Sequence, residues 1–290
     1  MTRLAIGLVW LLRLLPFPLL VAVGRGLGLL LYAAARERRE VVLTNLRLCF
    51  PERSEGERRA LARAHFQALG RAILEQGIGW WSSQARIRRI VRVRDEHYLA
   101  GAAQGQGQVI VLALHFVGVD MGAIRMSGEY SMATLYSTQK NAVLDALLRK
   151  ARTRFGRNRL LSRLDGIRPV VRAMREGWSL FYLPDMDFGP GDSIFVPFFG
   201  VQAATIPGLS RLAKLTGARV VPFVTRQLPG AQGYEVRFYP PWDDFPTHDV
   251  VADTRRMNAF IEARVRETPE QYYWVHKRFK TRPPGEARFY

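Results

Sequence analysis

The chain has 290 residues, 48% of them hydrophobic and 11% aromatic, which is enough for a full core and excludes a disordered chain. Its net charge of +18 calls for acidic partners: nucleic acid, anionic lipid head groups, phosphorylated substrates or an acidic carrier protein. The single cysteine, Cys49, excludes an internal disulfide, and no Cys/His cluster has the spacing of a zinc site. The cations are 38 Arg against 5 Lys, a ratio that suits bidentate phosphate contacts and equally a compositional bias of the source genome.

Residues Leu4 to Tyr32 are mostly Leu, Val, Ala and Gly, with Arg13 and Arg25 as the charges. The longest charge-free run, Leu14 to Gly24, falls short of the roughly 20 apolar residues of a membrane-spanning helix. Pro16 and Pro18 should break a helix near residue 15. The segment reads as a monotopic or marginally spanning anchor whose arginines reach the head groups; the alternative is a buried N-terminal helical hairpin. The basic cluster Arg36-Glu-Arg-Arg39 favours keeping the remainder of the chain on the cytoplasmic side. Residues 1–35 therefore form the expected anchor and 36–290 one further domain.

Residues 36 to 80 read as helical, with apolar positions at helical spacing from Arg58 to Ile78. A break falls at Cys49-Phe-Pro-Glu52, and Ser54 with Glu57 would form a capping box. Val91 to Arg94 alternates like a half-exposed strand, and Val109 to Leu114 reads as a fully buried one. Further strands are predicted at Ser131–Tyr136, Trp178–Leu183, Arg219–Thr225 and Tyr234–Tyr239. Helices are predicted at Asn141–Arg154, Ile167–Glu176 (closed by Gly177), Thr205–Thr216 and Asp253–Arg266. This alternation predicts an α/β fold: a mixed central sheet flanked by helices, behind an N-terminal membrane-associated helical segment.

Four segments carry chemistry. The buried run Val109 to Leu114 ends in His115, with Asp120 five positions on. That sets a base and a carboxylate at the carboxyl end of a strand, where open α/β sheets bind ligands. A structural histidine and a carboxylate at a helix N-terminus would look the same. Tyr182-Leu-Pro-Asp-Met-Asp-Phe-Gly-Pro190 ends another strand at the same edge; Asp185 and Asp187 there could pair on a metal or bond backbone amides in a turn. Phe195 to Val201 followed by small residues suits an apolar slot beside a helix, with Thr205 as a cap or an anion contact, or ordinary core. The tail from Pro269 to Lys280 interleaves aromatic and basic residues, a pattern for nucleic acid or, with the apolar N-terminus, a membrane surface.

Jointly these segments resemble the lipid A biosynthesis acyltransferases, the lauroyl/myristoyl transferases of the lysophospholipid acyltransferase superfamily. The resemblance runs over nearly the whole chain. It is carried by Arg39 to Pro51, the H-x4-D motif from His115 to Asp120, Tyr182 to Pro190, Phe195 to Thr205 and Trp274 to Pro283. Two positions depart from the pattern: Asp120 stands where the lipid A branch usually has Glu, and Pro-Asp-Met-Asp stands for Pro-Asp-Gln-Asp. The resemblance implies acyl transfer from an acyl carrier protein thioester to a hydroxyl of a membrane glycolipid, at the bacterial inner membrane. It implies no cofactor, no metal and no nucleic acid partner. His115 would be the general base and Asp120 would orient its ring. The oxyanion would be met by amides after His115 or by an arginine among Arg154, Arg157 and Arg163, with Arg163 favoured. Asp185 would hold such an arginine, Asp187 and Thr205 would help bind substrate, and Phe195 to Val201 would line the acyl channel. A related acyltransferase acting on a lysophospholipid, an ornithine lipid or another glycolipid is the competing expectation, and a basic membrane-binding protein without catalysis is a remote one.

Overall fold

The computed structural model describes residues 2–104 and 108–290. Helices α1 (Thr2–Leu12) and α2 (Phe17–Ala34) flank a break at the expected place, with Pro16 capping α2 and Pro18 in its first turn. By length and composition α2 is apolar enough to cross a membrane. One of its faces is occupied, however. Gly24 and Gly28 cross Gly70 of the long helix α4 (Glu55–Trp81), and a Cβ added at Gly28 would lie 2.1 Å from the Phe66 carbonyl oxygen. Two helix backbones touch there, a contact only glycine permits. Leu20 and Val21 face the domain, whereas Leu19, Val23, Leu29 and Leu30 stay exposed, and α1 buries none of its residues. The N-terminal helices are thus docked on one side and exposed on the other.

Helix α3 (Arg36–Cys49) leads to α4, whose start carries the predicted capping box: Ser54 Oγ accepts from the Glu57 amide at 3.3 Å, and Glu57 Oε2 accepts from the Ser54 amide at 2.8 Å. Next come α5 (Gln84–Ile90), β1 (Val91–Arg94), α6 (His97–Gln104), β2 (Val109–Ala113), α7 (Val119–Ser127), β3 (Met132–Tyr136), α8 (Ala142–Thr153) and β4 (Asn158–Ser162). The chain continues with α9 (Arg168–Arg175), β5 (Ser179–Tyr182), β6 (Ile194–Phe198), β7 (Val201–Thr205), α10 (Gly208–Thr216), β8 (Arg219–Gln227), β9 (Tyr234–Phe238) and α11 (Val250–Glu267). The helices α5 and α6 and the edge strand β4 lack strong hydrophobic periodicity, so the sequence pattern does not announce them. The segment before Thr205 also differs from expectation. It is a hairpin, β6 paired antiparallel with β7, turned by Phe199 and Gly200 at positive φ.

Seven strands form one mixed sheet in the order β1-β9-β8-β2-β5-β3-β4, parallel throughout except between β8 and β9. Because β8, β2, β5, β3 and β4 run the same way, their carboxyl ends share one edge. The central strand β2 is buried on both faces: Ile110 and Leu112 enter one core cluster, Val109, Val111 and Ala113 the other. This is why its sequence is an unbroken apolar run and not an alternating one.

The tail corrects another expectation. Tyr272, Trp274 and Phe279 are buried core residues, not interfacial aromatics, and Arg278 is buried with them. The Tyr273 amide donates to the His115 carbonyl oxygen at 2.9 Å, and the Val117 amide donates to that of Gln271 at 2.8 Å. The tail therefore clasps the segment that carries His115. Asn45 holds the clasp in turn, its amide donating to the carbonyl oxygens of Trp274 and His276 at 2.7 and 2.8 Å.

Candidate active site

His115 lies just past the carboxyl end of β2, on the sheet edge where the parallel strands finish. Its ring Nδ1 is 2.5 Å from Asp185 Oδ1, and its backbone amide donates to Asp185 Oδ2 at 2.9 Å. One carboxylate thus grips both the ring and the chain that bears it. β5 pairs with β2 in parallel register, so the residues following each strand emerge side by side. Burial pushes the Asp185 carboxyl up, but the facing His115, through its charge and two hydrogen bonds, more than reverses this, and the group stays below the usual carboxylate range. With Nδ1–H donated to Asp185, Nε2 is left as the basic nitrogen. The ring is 22% exposed and lines a cavity.

Asp120 does something other than orient that ring. It sits in the first turn of α7, where its Oδ1 accepts from Arg152 at 2.8 Å and its Oδ2 from the Gln76 amide at 3.1 Å. Burial raises its carboxyl, and the Arg152 guanidinium and Gln76 outweigh that, so it too is held low. The ring-orienting role falls to Asp185, and the arginine expected on Asp185 is found on Asp120. A five-residue separation that includes a turn and the first residues of a helix carries the Asp120 side chain to α4 and α8 instead of to Nδ1.

The cavity has a volume of about 640 Å3, ordinary for a ligand site. Leu69 and Ile73 of α4, Ala123 and Ile124 of α7, and Phe181 and Leu183 make its apolar wall; Gln76, Asp120, Ser137, Gln139, Arg152 and Arg163 make the polar one. Of the three expected arginines, Arg163 lines it, donating to Ser137 Oγ at 3.3 Å with its guanidinium 4.1 Å from the centre of the Phe188 ring. Arg154 instead donates to the carbonyl oxygens of Gly79 and Ser82, and Arg157 to that of Glu129. Arg152 was missed because it sits one residue from the end of α8, before the window the motif suggested. Of the amides after His115, three are engaged, Phe116 on Leu114, Val117 on Gln271 and Val119 on Phe116, which leaves that of Gly118.

Three further expectations fail on placement. Asp187 is buried and accepts from the Gly189 amide and from the amide and hydroxyl of Thr281, while its own amide donates to His276 Nε2 at 3.0 Å. It ties a turn to the tail. Thr205 ends β7 instead of capping a helix, and its hydroxyl accepts from Arg278 at 2.8 Å in the interior. Phe195 to Val201 packs in the hairpin and its core and lines none of the cavity. Asp185 and Asp187 face different partners, and no group of three or more metal-ligating side chains occurs among the described residues.

The profile of the bacterial lipid A biosynthesis acyltransferases matches residues 1–281 of this chain. A lipid A biosynthesis lauroyltransferase of Escherichia coli K12 is 37% identical over 98% of this chain and 93% of its own length. A lipid A biosynthesis myristoyltransferase of the same organism is 36% identical over 94% of this chain and 83% of its own. A lipid A biosynthesis palmitoleoyltransferase, also of Escherichia coli K12, is 31% identical over 100% and 94%.

Proposed function

Since the chain belongs to the bacterial lipid A biosynthesis acyltransferases, we propose that it moves a fatty acyl chain from an acyl carrier protein thioester to a hydroxyl of a lipid A precursor. The site of action is the cytoplasmic face of the inner membrane, with α1 and α2 as the anchor. The exposed apolar residues of these helices and the docking of α2 along α4 support attachment to one leaflet with the domain held close.

One observation carries the mechanism: a histidine whose Nδ1 is fixed by a buried carboxylate and whose ring opens on a cavity that is greasy on one side and cationic on the other. The acceptor hydroxyl gives its proton to His115 Nε2 as its oxygen attacks the thioester carbonyl carbon. Asp185 stabilises the imidazolium that forms. Arg152, held in place by Asp120 and lining the cavity beside His115, supplies the positive charge for the tetrahedral oxyanion. Collapse expels the carrier thiolate, which takes the proton back from His115. Arg163 at the rim meets an acidic part of the substrate, and the apolar wall receives the acyl chain. No covalent acyl-enzyme is needed.

The test is acyl transfer by the purified full-length protein from acyl-loaded carrier protein to a lipid A precursor, followed by mass spectrometry. His115→Ala should lower the rate by about 10³-fold, within the usual span for a lost general base, without altering the fold. An unchanged rate in that variant would refute the mechanism, and transfer to lysophospholipids alone would refute the acceptor.

A further inference from the structure

The most exposed large apolar side chain of the domain lies beside the cavity and not on the anchor. Leu164 is 96% exposed at the tip of the turn that leaves β4, and Ile167 beside it is 47% exposed. The turn is built, not slack. The Leu164 amide donates to Ser162 Oγ at 3.1 Å, and Gly166, at φ 72°, reverses the chain. Nothing in the interior explains an apolar residue held outward in this way.

Two features identify what covers it. Arg163 and Arg168 flank the tip, and Arg172 and Arg175 follow on α9. The last three are exposed and have no ion-pair partner among the described residues; the opposing charges are Asp165 at the tip and Glu176, which pairs with Arg159. The tip is also continuous with the N-terminal helices along the cavity rim. Arg163 bonds Ser137, Gln139 follows on that rim, and Asn141, which caps α8, donates to Thr2 at the start of α1 at 2.9 Å. Val143 on the first turn of α8 is exposed on the same path.

We propose that the Leu164–Ile167 turn is a second membrane contact, inserting its two apolar side chains among anionic lipids while the surrounding arginines meet phosphate groups. With α1 it would set the cavity mouth against the leaflet that holds a lipid acceptor, so the proposal rests on action at a bilayer but not on catalysis. The exposed leucines of α1 at the other end of this rim, Leu4, Leu8 and Leu11, favour a bilayer over an acidic carrier protein as the occupant.

Cys49 is buried and is the chain's sole cysteine, so Leu164→Cys can be labelled selectively with an environment-sensitive fluorophore in the full-length protein. Vesicles of phosphatidylethanolamine and phosphatidylglycerol should shift its emission to the blue, and lipids brominated on the acyl chain should quench it. A label at Arg92→Cys, on β1 at the opposite edge of the sheet, should respond to neither. Leu164→Glu with Ile167→Glu should weaken vesicle binding on the order of tenfold. A Leu164 label that stays unquenched on vesicle-bound protein overturns the proposal, as does one that responds to acyl carrier protein and not to vesicles. Protein that bound bilayers through this turn yet transferred no acyl chain would fail the proposed function alone.

Discussion

Two arginine–carboxylate pairs, reached from adjacent residues of α4, have opposite surroundings. Glu75 points inward, 3.1 Å from Arg71 Nε and hydrogen-bonded to the Tyr234 hydroxyl, with no exposure at all. Gln76, about 100° further round the helix, points at the cavity and bonds Asp120, which is 32% exposed and faces an Arg152 that is 27% exposed. The charges are the same in kind. Burial dominates at Glu75 and raises its carboxyl despite Arg71, whereas at Asp120 the arginine wins and the carboxyl is held low. A buried ion pair with its lone pairs filled acts as mortar; one that opens on a cavity keeps an arginine edge available to a substrate.

This contrast can be broken from several directions. The largest effect should come from the residue that makes the cavity side reactive. Asp185→Asn keeps the volume but withdraws the charge behind His115, and should lower the acyl-transfer rate by about 10³-fold, with the unfolding midpoint nearly kept. A pH–rate profile whose acidic limb, where the base loses its proton, did not move would argue against this role. Next come the two pairs themselves. Glu75→Ala should cost about 3 to 5 kcal/mol of stability in denaturant unfolding, because it strands Arg71, while the folded fraction keeps its rate. Arg152→Ala should do the reverse, losing about a hundredfold in rate with little change in stability. If both variants lost stability alike, the division between mortar and site would collapse.

The smallest effect sharpens the same theme on the opposite charge. His65 is fully buried on α4 with Nδ1 3.0 Å from the Glu270 carbonyl oxygen, and burial pushes its pKa down to about 4. The unfolded chain protonates that ring near pH 6.5. The contribution of the neutral ring is therefore complete above pH 6.5 and is lost as pH falls towards 4. It amounts to no more than on the order of 3 kcal/mol by linkage. His65→Gln should flatten this part of the stability curve. An equally steep acid loss in that variant would assign the effect elsewhere, for example to His276, which burial also drives down to about 4.

Much of the fold was legible because its signals are local. The break at Pro16, the Ser54–Glu57 capping box, the buried run of β2 and the turn at Gly177 each depend on neighbours within a few positions. His115 was legible for the same reason, as a polar residue ending an apolar strand. The short helices α5 and α6 were not, since their apolar positions are too few to show a period, and the β6–β7 hairpin concealed itself because Phe199 takes a positive φ that sequence rarely suggests. The tail misled for a different reason. Aromatics interleaved with basic residues read alike whether they meet lipid or core, and only the packing of Trp274 and Phe279 against the main cluster distinguishes the two.

The chain's own order of residues determined the mixed α/β sheet, the histidine that ends its central strand, the apolar N-terminus and the family to which the protein belongs. Tertiary structure decided which partner each charge has. Asp185 lies 70 residues from His115 and meets it because β2 and β5 are parallel neighbours; Asp120 lies five residues away and turns to Arg152 and Gln76 instead. Periodicity reports which side of an element faces inward, but it carries no information about which two elements become neighbours, and a hydrogen bond is made only across that contact.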